Sequence, residues 1–67
     1  MNEQDYYTVI AMKRRGGSFV VKLAELAERA DPSNLNKIKI AWSGYWAEYS
    51  AIGKQIKEEQ PYLYENI

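Results

Sequence analysis

The chain has 67 residues, nine basic and nine acidic side chains, and neither histidine nor cysteine. Balanced charge removes the basic field that draws a protein onto nucleic acid or anionic lipid, and the missing residue types exclude disulfides and nearly every zinc, haem or thiolate site. A domain of this size buries only about 60% of the surface its unfolded chain exposes, so with no such staple a second subunit is the expected source of further stability.

Residues 3–15 read as a first helix. Glu3 and Asp5 fall in its first turn and Lys13, Arg14 and Arg15 in its last, matching the helix dipole, and Gly16 follows where a left-handed cap would close it. The β-formers of YYTVIAM offer a competing reading as a hairpin strand paired with SFVV. The agreement of both termini and the glycine decides for the helix.

A second helix starts at Ser18 as N-cap and runs to Ala30. Phe19, Leu23, Leu26, Ala27 and Ala30 form its apolar face, with Lys22, Glu25 and Arg29 opposite and Glu25 to Arg29 as an i,i+4 pair. Asp31 then caps a third helix whose first position is Pro32.

In that third segment Leu35, Ile38, Trp42, Tyr45, Tyr49, Ile52 and Ile56 recur at alternating steps of three and four. The pattern is the seam of a coiled-coil-like packing sustained for about three heptads. It predicts one helix to Lys57 or Glu58, about 40 Å long, stopped by Pro61. Ile40, Gly44, Ala47 and Ala51 form a second row on its back, and Trp46 lies beside the aromatic seam. Gly44 and Gly53 each cost about 1 kcal/mol relative to alanine in a helix, which points to the close approach of another backbone.

The expected architecture is therefore all-α, with two shorter helices packed on one long C-terminal helix. It forms a single domain over residues 1–60 and assembles as a homodimer. Residues 61–67 form a tail, carrying Pro61, Tyr62, Leu63, Tyr64 and Ile67, either as a disordered end or as an arm over a neighbouring groove. No run is apolar enough to span a bilayer, and MNEQDYY lacks the basic and apolar regions of a leader, so a cytoplasmic protein is expected.

The residues offer no chemistry. No serine or lysine has a histidine base beside it, and the carboxylates serve helix starts or polar faces. Glu48, the one carboxylate within the aromatic stretch, reads as an interface-rim residue. RRGGS at 14–18 lacks both the spacing of a phosphate loop and its Lys-Ser/Thr pair. No catalytic residue, metal or cofactor is expected.

What remains is aromatic surface: six tyrosines and two tryptophans are many for so small an interior, and both types are enriched at interfaces. Trp42, Tyr45, Tyr49 and Ile52, with Ile40, Gly44 and Ala47, are assigned to packing within the chain or between copies. Trp46, the basic cluster Lys13, Arg14 and Arg15, and Tyr62 and Tyr64 of the tail are assigned to a protein partner.

The string RRGGSFVVKLAELAERADPSN followed by YWAEY, within residues 14–49, resembles short accessory proteins of tailed phages and prophages. The resemblance implies a chain that binds and disables a host or defence-system protein, and it supplies no activity to transfer to particular residues. The alternatives are a helix-turn-helix-like regulator, with residues 18–30 as positioning helix and Lys13 to Arg15 on phosphates, or a small virion or scaffold component. Neutral charge and an aromatic rather than Arg/Asn/Gln-rich long helix stand against DNA reading.

Overall fold

The computed structural model describes residues 1–66; Ile67, assigned above to the tail, lies outside the described residues. Four α-helices follow one another: α1 (Glu3–Arg15), α2 (Ser18–Arg29), α3 (Pro32–Ala41) and α4 (Ser43–Glu59), with a 3-10 turn at Tyr64–Asn66. The described residues contain no strand, and the YYTVIAM segment lies wholly within α1.

Helix α1 begins where Asn2 caps it, its side chain accepting a hydrogen bond from the Asp5 amide at 2.8 Å. It ends as its charges dictate, but Gly16 is not left-handed: its φ is −82°. The glycine is needed for space instead. A Cβ there would stand 2.5 Å from the Met12 carbonyl oxygen and 2.5 Å from Val20 Cγ1, so its smallness lets α2 turn back tightly onto α1. Tyr7, Thr8, Val9, Ala11 and Met12 are all buried. Residues so placed cover most of a helix's circumference, which makes α1 the central element, with α2 and α4 packed on it.

Three expectations for α2 are corrected. Gly17, not Ser18, is the N-cap, and no side chain caps the helix. Its buried face is Val20, Leu23, Ala24 and Ala27, while Phe19 and Leu26 are exposed. The sequence carries two overlapping stripes at helical spacing, and the alanine-rich one wins because small side chains let α2 approach α1 closely. Lys22 pairs with Glu25 at 3.1 Å, in place of the expected Glu25–Arg29 pair.

The single long helix does not form. The chain leaves helical geometry at Trp42 (φ −120°, ψ 41°), dividing the segment into α3 and α4. The break sacrifices little, since the Trp42 amide still donates to the Ile38 carbonyl at 2.9 Å and its own carbonyl accepts from Trp46 at 2.9 Å. Ser43 and Gly44 are weak helix formers immediately after it. A straight rod of about 40 Å would overhang a molecule whose longest dimension is 29 Å. Bent at Trp42, the segment wraps the core instead. Asp31 does cap α3, accepting from the Asn34 amide at 2.8 Å, and Pro32 occupies its first turn. Helix α4 stops at Glu59, two residues before Pro61.

The break also splits the heptad seam. Leu35, Tyr49 and Ile56 are buried, Ile38 and Ile52 are half-buried against the core, and Trp42 and Tyr45 are left on the surface. Helix α4 meets α1 at Gly53, where a Cβ would lie 2.8 Å from the carbonyl carbon and oxygen of Tyr7. The close backbone approach expected of Gly53 is therefore present, within the chain; at Gly44 it is absent, nothing lying within 4 Å.

The tail folds back on α1. Tyr7 Oη donates to the Gln60 carbonyl at 2.7 Å, Tyr6 Oη to the Leu63 carbonyl at 3.5 Å, and the Tyr6 and Tyr64 rings meet at 65° with centroids 5.5 Å apart.

Candidate protein-binding surface

Three helix ends converge on one aromatic cluster. Phe19 comes from the first turn of α2, Trp42 from the break, and Tyr45 from the first turn of α4. Phe19 and Trp42 pack edge to face, 5.1 Å between centroids at 67°; Tyr45 lies 5.9 Å from Phe19 and 6.3 Å from Trp42. Such separations are those of mutually attractive rings, too close to leave a cage between them. All three stay wet, with 51% of Phe19, 41% of Trp42 and 38% of Tyr45 exposed.

Surface flanks the cluster on both sides. Between α2 and α3 runs a depression of about 300 Å³ lined by Leu26, Ala30 and Ile38, with Arg29, Asn34 and Lys37 around it. Below the rings, Trp42, Tyr45 and Gly44 share a shallower hollow with Glu48.

The assignments of the two tryptophans are reversed. Trp46, expected to face a partner, is only 7% exposed and belongs to the core, with the Lys39 ammonium 5.9 Å from its ring centroid. Trp42, expected to pack, is the exposed one. The cause is the break: with the helix broken at Trp42, residue 46 turns inward with Tyr49, and residue 45 turns outward. Of the self-association set, Tyr49 and Ile52 pack in the core, whereas Ile40, Gly44 and Ala47 are exposed.

The basic cluster is divided by its local partners. Lys13 pairs with Glu28 at 3.2 Å and Arg14 donates to Gln60 Oε1 at 2.9 Å, which leaves Arg15 exposed on its own at the helix end. Tyr62 is exposed and Tyr64 is half-buried against Tyr6. Among the described residues, neither tyrosine packs its ring on the Phe19 cluster and none of the three basic side chains stacks on it.

Sequence reasoning missed Phe19 and Leu26 as surface. The signal that could have found them is the second stripe of α2, since a helix with two apolar faces can bury only one against α1.

A further hollow, of about 340 Å³ between α1 and α3, contains Asp5 and Lys39. The two form an ion pair at 3.1 Å with Asp5 buried, so each charge already has its partner. Among the described residues no buried side-chain polar atom lacks a hydrogen bond, and no helix is long and apolar enough to cross a membrane. Compared with protein-family models, curated proteins and solved structures, the chain matches none.

Proposed function

We propose that this chain is a small protein-binding accessory module that acts by occupying a surface of another protein through the Phe19–Trp42–Tyr45 face. One observation carries the reading: the core closes around Trp46, Tyr49 and Met12 without these three rings, which pack on one another in solvent. Trp and Tyr with about two-fifths of their area free, bordered by charges, are the composition of an interface hot spot. The resemblance to phage accessory proteins supports a host or defence protein as the target, met in the cytoplasm of a bacterial cell.

The test is a photo-crosslinking residue at position 45 of the tagged full chain, in the cell that makes it, compared with the same residue at Lys54 on another face. A discrete heterologous adduct is expected from position 45 and not from 54. Trp42→Ala should remove it, with binding weakened about 30-fold or more, while helix content is retained. An adduct that survives Trp42→Ala, or one formed with DNA, would defeat the reading.

A further inference from the structure

Helices α2 and α3 run antiparallel across this face. Phe19 at the start of α2 meets Trp42 at the end of α3, while Arg29 and Ala30 share a depression with Asn34 near the start of α3. Phe19 and Arg29 are thus about 15 Å apart along α2. The apolar strip between them is charged at both ends with opposite sign. Arg29 and Lys37 border the α2–α3 depression, and Glu48 lies one turn beyond Tyr45 at the aromatic end. All three are exposed and, among the described residues, none has an ion pair. Lys22, on the same face between Phe19 and Leu26, is exposed and pairs with Glu25 at 3.1 Å, so the two together add no net charge to the strip.

Resting on the reading of this face as an interface, we propose that a second copy of the chain covers it, antiparallel about a two-fold axis near the Phe19–Trp42 contact. Glu48 of each copy then meets Arg29 and Lys37 of the other. The order of charges selects this occupant. An acidic segment would satisfy Arg29 and Lys37 and repel Glu48; a basic one would do the reverse. A partner must carry both signs in reversed order around an apolar strip, and rotating this chain by half a turn supplies that. The arrangement is isologous and closes on itself, so it stops at two copies.

Area sets the strength. At about 150–250 Å² per aromatic side chain, the exposed fractions of the three rings come to about 250 Å². That is roughly a third of the ~800 Å² each partner gives to a standard interface; Leu26, Ile38 and the charged rim must supply the rest. The required area is under a fifth of the chain's 4467 Å². A reversible dimer in the micromolar range follows, rather than an obligate one.

Sedimentation velocity on the pure full chain across the micromolar range tests this, with circular dichroism as the control for folding. Wild type is expected to pass from monomer to dimer, and Trp42→Ala to stay monomeric. Glu48→Lys and the double variant Arg29→Glu/Lys37→Glu should each weaken self-association about tenfold or more, because the two-fold repeats each clash. Mixing these two variants should restore a dimer, since a mixed pair is complementary at both ends. A wild type that remains monomeric overturns the proposal, as do charge variants that dimerise like wild type or a mixture that stays monomeric. No other protein is present in this experiment, so the dimer can fail while the cross-link at position 45 still decides whether the face binds a partner.

Discussion

Gly53 of α4 rests on the backbone of Tyr7 in α1: a Cβ at position 53 would stand 2.8 Å from the Tyr7 carbonyl carbon and oxygen and 3.0 Å from the Thr8 amide nitrogen. Backbone cannot swing aside as a flexible side chain can, so the two central helices would have to separate. Gly53→Ala is expected to destabilise by about 2–3 kcal/mol. At Gly44 nothing lies within 4 Å, and Gly44→Ala should stabilise by about 0.5 kcal/mol through helix propensity alone. Urea unfolding of both variants in dilute solution reads the contrast; equal effects of the same sign would refute it.

The tryptophans form a second pair of opposites. Trp46→Ala removes a core ring and should cost about 3–5 kcal/mol, enough to unfold most of a domain this small. Trp42→Ala, at an exposed ring, should cost about 1 kcal/mol. Fluorescence offers an independent check: with Trp42 replaced by Phe, the remaining emission should be blue-shifted and poorly quenched by iodide. Red-shifted, freely quenched emission would place Trp46 in solvent and contradict the burial.

Much of the architecture could be read from residue order. The ends of α1, the Asp31–Pro32 start of α3 and the stop before Pro61 follow from caps, charges and proline, which act within a few residues of where they stand. The break at Trp42 could not be read that way. Its heptad spacing is continuous, and although Ser43 and Gly44 weaken the helix just after it, whether a helix bends at such a point depends on the neighbours it packs against. Tyr49 and Ile56 keep the buried positions their spacing predicts, while Trp42, at the break itself, and Tyr45 just after it are left on the surface and Trp46 enters the core. Phe19 and Leu26 were misassigned for a related reason: choosing between two apolar stripes needs the neighbour they pack against.

Asp5 and Lys39 join α1 to α3, with Asp5 buried and Lys39 about a third exposed. Lys39→Met leaves a buried carboxylate without its cation, though near the favourable N-terminus of α1. Discounted for the exposed lysine, the expected loss is about 1–2 kcal/mol. Adding Asp5→Asn to Lys39→Met should recover part of it. A double-mutant cycle in urea with no coupling would mean the pair contributes nothing to stability.

The Lys57 ammonium donates to Glu3 Oε1 at 2.8 Å, tying the end of α4 to the start of α1. That hydrogen bond first, and the Glu3 charge second, raise the Lys57 pKa above its ordinary 10.5. A group whose pKa is raised by folding contributes its stability in full below the unfolded value and loses it as pH climbs through the folded one. The stability difference between wild type and Lys57→Gln should therefore be flat between about pH 7 and pH 9 and shrink above about pH 10.5. A difference that stays constant through the alkaline range would mean the pair contributes nothing to stability.

The central position of α1 has a consequence for the order in which the molecule can come into being. Helix α1 leaves the ribosome before the other three, yet its principal neighbour, α4, is made after them. Until residues 46–56 exist, Tyr7 and Thr8 have no Gly53 to lie against, and the α1–α2 hairpin carries bare apolar surface on its far side. Closing that gap in sequence carries a loop-closure entropy cost that the α1–α2 hairpin does not. A nascent chain halted after α3 is thus the species most exposed to chaperones, proteases and aggregation, and completion of α4 rescues the whole domain at once.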